Sequence, residues 1–169
     1  EIARTRKRRA EVANQLWPQA LRYGRIIAML PFVRMVAVTG SLSMNNTAED
    51  QDVDYLIVTA PDRLWLCRAL SILVARFAKL EGVTLCPNYL VTTNALELQE
   101  RSLYVAHELA QMIPLSGMEI YYRMCRLNRW VADFLPNASF MPERFQVVKP
   151  VQTPARLQRA LEILLSLPF

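Results

Sequence analysis

Two short apolar runs with a polar interval between them constrain this chain more than anything else in it. Val33-Arg34-Met35-Val36-Ala37-Val38-Thr39 and Val53-Asp54-Tyr55-Leu56-Ile57-Val58-Thr59 are largely apolar and rich in β-branched residues, and each is short for a helix. Gly40 to Gln51 between them is mostly small and polar, so the pattern predicts strand, turn, strand. Side chains alternate along a strand, which puts Asp52 and Asp54 on one face and Val53 on the other. At a rise of about 3.3 Å per residue their Cα atoms lie about 6.6 Å apart. Two carboxylates at that spacing can grip one metal ion, or bracket two ions about 3.5–4 Å apart as two-metal phosphoryl transfer requires. An Asp-x-Asp alone is most often a solvated strand start. Here Gly40 ends an apolar strand where the backbone must turn tightly, Ser41 adds a hydroxyl and an N–H, and Asp54 runs directly into the apolar Tyr55-Leu56-Ile57-Val58. A carboxylate at the mouth of a buried strand costs free energy unless it has a partner, and a cation is the natural one.

The order apolar strand, Gly40-Ser41, ten residues from Leu42 to Gln51, Asp52-Val53-Asp54, apolar strand resembles the signature of the DNA polymerase β-like nucleotidyltransferase superfamily. The spacing is that of its minimal, MNT-like and aminoglycoside-modifying branches. In motif the resemblance covers residues 33–60, and in order of elements residues 18–92. Later phrases, Cys86-Pro87-Asn88-Tyr89 and Glu108-Leu109-Ala110-Gln111-Met112-Ile113-Pro114-Leu115 through Asn128-Arg129-Trp130, look like those of uncharacterised prokaryotic members. The resemblance implies transfer of a nucleoside monophosphate from a nucleoside triphosphate such as ATP to an acceptor hydroxyl, with pyrophosphate leaving. It also implies that Gly40 and Ser41 bind the nucleotide, that Asp52 and Asp54 are catalytic and bind Mg²⁺ (or Mn²⁺), and that the acceptor is a small molecule, an RNA end or a protein hydroxyl. The physics agrees: N–H groups in a tight turn make an anion cradle, and Mg²⁺ is held by one or two carboxylates together with phosphate oxygens.

The chain departs from the pattern in one place. Active family members carry a third carboxylate on a following strand, where it helps to deprotonate the attacking hydroxyl. The strand expected there, Val83 to Thr92, holds no acid, and Asn88 is the nearest occupant. An amide oxygen can ligate a metal, so Asn88 joins Asp52 and Asp54 as a candidate metal ligand, but it cannot act as a general base at neutral pH. Glu97 or Glu108 moves in, or the acceptor ionises unaided, or the domain is a catalytically weakened or inactive nucleotide-binding or protein-interaction module of the same fold.

Composition narrows the remaining classes. The chain has 169 residues, enough to bury a real core, and no apolar run approaches the eighteen or so residues of a membrane span. Its start, Glu1 to Arg9, is charged and unlike a signal peptide, so a soluble, cytoplasmic protein without a membrane partner is expected. Cys67, Cys86 and Cys125 are odd in number and widely spaced, which speaks against a disulfide framework and a zinc site. The lone histidine, His107, reads as a packed or half-exposed helix residue. Much of the net charge of +5 sits in Arg4, Arg6, Lys7, Arg8 and Arg9. That cluster reads as a solvated helix start, with contact to a phosphate backbone as the alternative.

The expected class is α+β: a small mixed β-sheet nucleotidyltransferase core with flanking helices, followed by a helical C-terminal region. The domain division is 1–98 for the core with N-terminal helices and 99–169 for the helical region. Glu1 to Trp17 reads as one helix and Pro18 as the first residue of a second, ending near Met29. Pro61 opens a helix to Lys79 with a broad apolar face of Leu64, Cys67, Ala69, Leu70, Leu73, Val74 and Phe77, and Gly82 ends it. This order suits a mixed sheet with helices on one face. From Glu100 onward no strand is expected. Leu103, Ala106, Leu109, Ala110 and Ile113 mark one helical face, and Ile120, Met124, Leu127, Val131 and Phe134 another, with Tyr121 and Tyr122 on the surface. Prolines 136 to 154 space a loop-rich connection, and Thr153-Pro154 caps a last helix. That helix carries a stripe of Leu157, Ala160, Leu161, Leu164 and Leu165, which suits packing on another subunit or on a further stretch of chain.

Overall fold

The computed structural model describes residues 1–48, 52–138 and 155–166. It is a mixed α+β fold with the sheet order β3-β2-β1-β4. Strands β1 (Val33–Val38) and β2 (Val53–Thr59) pair antiparallel, with Val38 opposite Tyr55 and Val33 opposite Thr59. Helix α3 (Leu64–Leu80) then crosses over to β3 (Leu85–Thr92), which lies parallel to β2. A parallel neighbour requires such a crossover, whereas β1 and β2 need only the polar connection between them.

Both faces of the sheet are covered, not one. Val36, Val38, Val53, Tyr55 and Ile57 pack with α1 (Ile2–Met29) and α3. Met35, Ala37, Leu56 and Val58 pack with α4 (Leu103–Gln111) and α5 (Met118–Leu127). Nearly unbroken apolar runs in β1 and β2 are what a sheet buried on both sides demands. The same alternation fixes the site: Asp54 shares the parity of Leu56 and Val58, so its carboxylate starts out on the side of α4.

Three expectations about elements are corrected. Helix α1 runs through Pro18 without ending, because Ala13, Trp17, Ala20, Tyr23, Gly24, Ile27 and Ala28 form one buried stripe on both sides of it. The local cost of an interior proline is outweighed by keeping that stripe on the sheet. The approach is close at Gly24, where a Cβ would strike Leu115 Cδ1 and lie 3.3 Å from Tyr55 Cε1. Tyr55 also donates its hydroxyl hydrogen to Ala20 O at 2.7 Å. Second, a strand does occur after Glu100. β4 (Ile113–Ser116) pairs antiparallel with β1, with Pro114 opposite Ala37. It takes a sheet edge, where a proline that cannot donate to the ladder is tolerated.

Third, two helices present different faces from those expected. The buried residues of α5 are Tyr121, Met124 and Cys125, and Leu127 stays 40% exposed. Helix α3 buries Cys67, Ser71 and Ala78 but leaves Leu73, Phe77 and Trp65 exposed. It starts at Leu64, with Pro61 and Asp62 in the preceding turn. Short α6 (Val131–Phe134) closes the second core beside Asn128. That fully buried amide accepts from Leu98 N at 2.9 Å and Trp130 Nε1 at 3.1 Å, and donates to Leu96 O at 2.7 Å and Met124 O at 2.8 Å.

The last described helix, α7 (Ala155–Ser166), docks on the turn between α1 and β1. Glu162 accepts from Phe32 N at 2.7 Å and from Arg34 at 2.7 and 3.0 Å, while Gln158 donates to Leu30 O and Val33 O. These contacts brace Phe32, which holds a φ of 65° that a side chain rarely adopts. Thr153-Pro154 and most of the proline-spaced connection lie outside the described residues. Among the described residues no helix is long and apolar enough to cross a membrane.

Candidate functional site

The polar turn after β1 begins with Thr39 and Gly40 and forms a single helical turn, α2 (Gly40–Ser43). Gly40 takes a φ of +63°, in the region only glycine enters freely. Its lack of a side chain has a second use. A Cβ there would run into Asp54 Oδ2, with Asp54 Cγ 3.0 Å away, so the missing Cβ is the space the carboxylate occupies. The ends of β1 and β2 are tied by Thr39 N donating to Asp54 O at 3.0 Å. The turn is braced by Ser43 Oγ donating to Gly40 O at 2.7 Å, Asn46 N to Ser41 O at 2.9 Å, and the Arg6 guanidinium to Met44 O and Asn45 O, each at 3.2 Å. Arg6, from the basic start of α1, thus serves as a structural clasp on the loop that leads toward Asp52.

Asp52 and Asp54 come together as their parity requires, and the ladder adds a third group. Cys86 on β3 is the register partner of Asp54, and ligand atoms of Asp52, Asp54 and Cys86 all lie within 4.8 Å of one another. The register then slips by one residue between Asp54 and Leu56, so that Tyr89 stands opposite Leu56. That irregularity takes up Pro87 and Asn88. Asn88 is exposed, and its amide approaches the Tyr104 hydroxyl at 3.5 Å, the far limit of a hydrogen bond. The place beside Asp54 on β3 belongs to Cys86.

The electrostatics are those of crowded negative charge. Burial, then Asp52, then Glu108 push the Asp54 carboxyl up from 3.8 to about 6, against a lowering hydrogen bond from Cys86. Burial and the two aspartates push the Cys86 thiol up to about 11, so it stays protonated and donates. Glu108 comes from α4. Burial raises its pKa as well, opposed by the Thr39 hydroxyl, the Gly40 amide and His107. The Glu108 carboxylate lies against the Thr39 hydroxyl and the Gly40 N–H at the end of β1. Glu97 is exposed and pairs with Arg101 at 3.6 Å. His107 is half-buried, with Nδ1 3.0 Å from Gln111 Nε2. All three cysteines are free thiols.

Sequence reasoning missed that Cys86 stands beside Asp54. The signal was available: Cys86 stands between Leu85 and Pro87 as Asp54 stands between Val53 and Tyr55, at the entry to an apolar strand. Counting from that end of β3 selects Cys86 and not Asn88.

No protein-family model matches this chain, and no curated protein matches it. Among solved structures, one of a toxin-antitoxin with AMP-PNP aligns at 14% identity and a TM-score of 0.37, covering 80% of this chain and 94% of that chain. A likeness that loose carries no argument.

Proposed function

We propose that this chain is a Mg²⁺-dependent nucleotidyltransferase of the polymerase β-like kind. The observation that carries the reading is the fit between Gly40 and Asp54: a glycine turn at the end of β1 whose absent Cβ makes room for one of two same-face carboxylates. The donor chemistry suits a hard cation. Asp52 and Asp54 offer oxygens, as Mg²⁺ prefers, and leave positions open for phosphate oxygens. Cys86 adds a soft sulfur, which a hard ion such as Mg²⁺ does not select as a ligand. When bound, the ion would neutralise charge on the triphosphate and the developing charge of the transfer.

In this reading the Gly40-Ser41 turn holds the triphosphate by its N–H groups, and Asp52 and Asp54 fix its place relative to β2. An acceptor hydroxyl oxygen forms a bond to the α-phosphorus while the bond from that phosphorus to the bridging oxygen of pyrophosphate breaks. Pyrophosphate leaves with the electron pair, and the hydroxyl proton passes to a carboxylate. The acceptor is a small molecule, an RNA end or a protein hydroxyl. One observation favours a second reading, that of a nucleotide-binding module without transfer: the β3 position beside Asp54 is a thiol. The test is pyrophosphate release from each nucleoside triphosphate with Mg²⁺ or Mn²⁺ and cell extract as acceptor, alongside nucleotide affinity. Release that disappears in Asp54→Asn supports transfer. Cation-dependent binding without release supports the module. No cation-dependent binding at all overturns both.

A further inference from the structure

We propose that the outward face of α3 binds the surface of an anionic lipid bilayer, with its apolar side chains among the acyl chains and its cations at the headgroups. The proposal is independent of the metal-site reading and departs from the expectation of a chain without a membrane partner. The contact is peripheral, since among the described residues no helix is long and apolar enough to cross a bilayer.

Helix α3 is packed the opposite way from a helix that faces water. The side chains it buries are small, Cys67, Ser71 and Ala78, and the Ser71 hydroxyl is buried there without a hydrogen bond. Its large apolar side chains face out: Trp65 is 78% exposed, Phe77 60% and Leu80 83%, with Ile72 and Leu73 exposed as well. At 3.6 residues per turn these five fall in one broad arc opposite the buried three. Together they leave several hundred Å² of apolar surface open, at the upper end of what a soluble monomer carries, and patches of that size mark interaction sites.

Charge selects the occupant. Helix α3 carries Arg68, Arg76 and Lys79, all exposed, and no acidic residue. By helical position Arg76 falls inside the apolar arc, between Trp65 and Leu80, while Arg68 and Lys79 follow its border beside Ile72. The acids nearest in sequence lie outside the helix: Asp62 in the turn before it, and Glu81 after it, held by Arg22 at 2.6 Å and by the Tyr23 hydroxyl at 2.8 Å. A second copy of the chain on this face would set cation against cation. A protein partner would have to bury Arg76 among apolar groups and pair it there, at a desolvation cost that offsets the attraction. A bilayer surface requires neither. Arginine and lysine stems lie along apolar surface while their heads reach the polar layer, and Trp, Phe and Leu beside Lys or Arg is the composition of helices that lie in the membrane interface.

The test is co-sedimentation of the whole chain with vesicles of phosphatidylcholine alone and of phosphatidylcholine with phosphatidylserine. Binding is expected to the mixed vesicles only, weakening as salt is added. Arg76→Gln should weaken it about fivefold, the share of one cation near an anionic surface, and Trp65→Ser with Phe77→Ser by more than about tenfold. These side chains are exposed, so the variants should keep the parent's Tm, and that measurement separates lost binding from lost folding. Trp17 and Trp130 are buried, so a blue shift of tryptophan emission on mixed vesicles should report Trp65. Equal binding to both vesicles overturns the proposal. So does binding that ignores the α3 substitutions and vanishes in Arg4→Gln with Lys7→Gln at the start of α1. A parent dimer in light scattering that Trp65→Ser with Phe77→Ser makes monomeric overturns it by giving the face to a second copy. No binding to either vesicle overturns it as well and leaves the face to an acidic protein.

Discussion

Asp54→Asn should stabilise the metal-free protein while removing its response to metal. The carboxyl is raised from 3.8 to about 6 by burial and by two acidic neighbours. An acid whose pKa is higher in the folded state binds a proton there more readily than in the unfolded chain. The associated stability is fully present below pH 3.8 and is lost as pH rises through about 6, so near neutrality the ionised Asp54 works against folding. At about 1.4 kcal/mol per pKa unit the shift corresponds to about 3 kcal/mol. The side chain is only partly buried, and solvent screening brings this to about 1.5 kcal/mol. For a chain of this size that is roughly 3–6 °C in Tm. Differential scanning fluorimetry in EDTA at pH 7.5 should therefore place Asp54→Asn a few degrees above the parent chain, and at pH 3.5 the gap should close. Added Mg²⁺ should raise the parent's Tm, because a ligand of the folded state stabilises by mass action, and should leave Asp54→Asn nearly unmoved. A variant that melts at or below the parent at pH 7.5, or by the same margin at both pH values, would refute the argument that unrelieved negative charge is stored at this position.

Gly40→Ala should cost about 1–3 kcal/mol through its positive φ alone, and the collision with Asp54 should make its loss of nucleotide affinity exceed that of Ser41→Ala in isothermal titration. Asn128→Ala should destabilise by about 3 kcal/mol in urea unfolding, since it strands the Leu98 and Trp130 donors and the Leu96 and Met124 carbonyls inside the second core. Asn88→Asp should leave Mn²⁺ affinity, read from the electron paramagnetic resonance of free ion, within twofold of the parent, because that side chain is exposed beside Tyr104; a tenfold gain would return Asn88 to the metal site. With its thiol pKa near 11, Cys86 is about one-thousandth thiolate at pH 8 and should alkylate slowly with iodoacetamide, and Asp54→Asn should speed the reaction by removing a charge that disfavours the thiolate.

What could be read from the chain and what could not divide along a physical line. β1, β2, the Gly40 turn and the pairing of Asp52 with Asp54 depend on short-range rules: β-branched runs, a glycine where φ is positive, alternation of side chains over two residues. The rest depended on what packs against what. Pro18 reads as a break by its own chemistry, and only the continuous buried stripe from Ala13 to Ala28 keeps α1 whole. Pro114 argues against a strand until β4 is seen to occupy an edge. Tyr121 reads as a surface aromatic, yet it is 1% exposed because the buried face of α5 is rotated from the apolar stripe the sequence suggests. The choice between Cys86 and Asn88 turned on one slipped register, which no periodicity reveals.

Glu108 is the clearest instance, and it bears on how such sites are built. Along α4 it is one polar residue at the border of an apolar stripe, a position helices routinely give to glutamate. Its significance arises only because the sheet face under α4 is also the face to which Asp54's parity assigns its carboxylate, and because α4 sets Glu108 against the end of β1. The apolar packing of Val105, Ala106 and Leu109 is therefore what holds a second acidic charge near Asp54 against their mutual repulsion. A fold that stabilises itself has no use for Asp52 and Asp54 crowded at a half-buried strand entry with ligand atoms within 4.8 Å of each other. That the core enforces such an arrangement, with a glycine whose absent Cβ gives one of the acids its space, is the physical ground for reading the cluster as a cation site rather than as a solvated strand end.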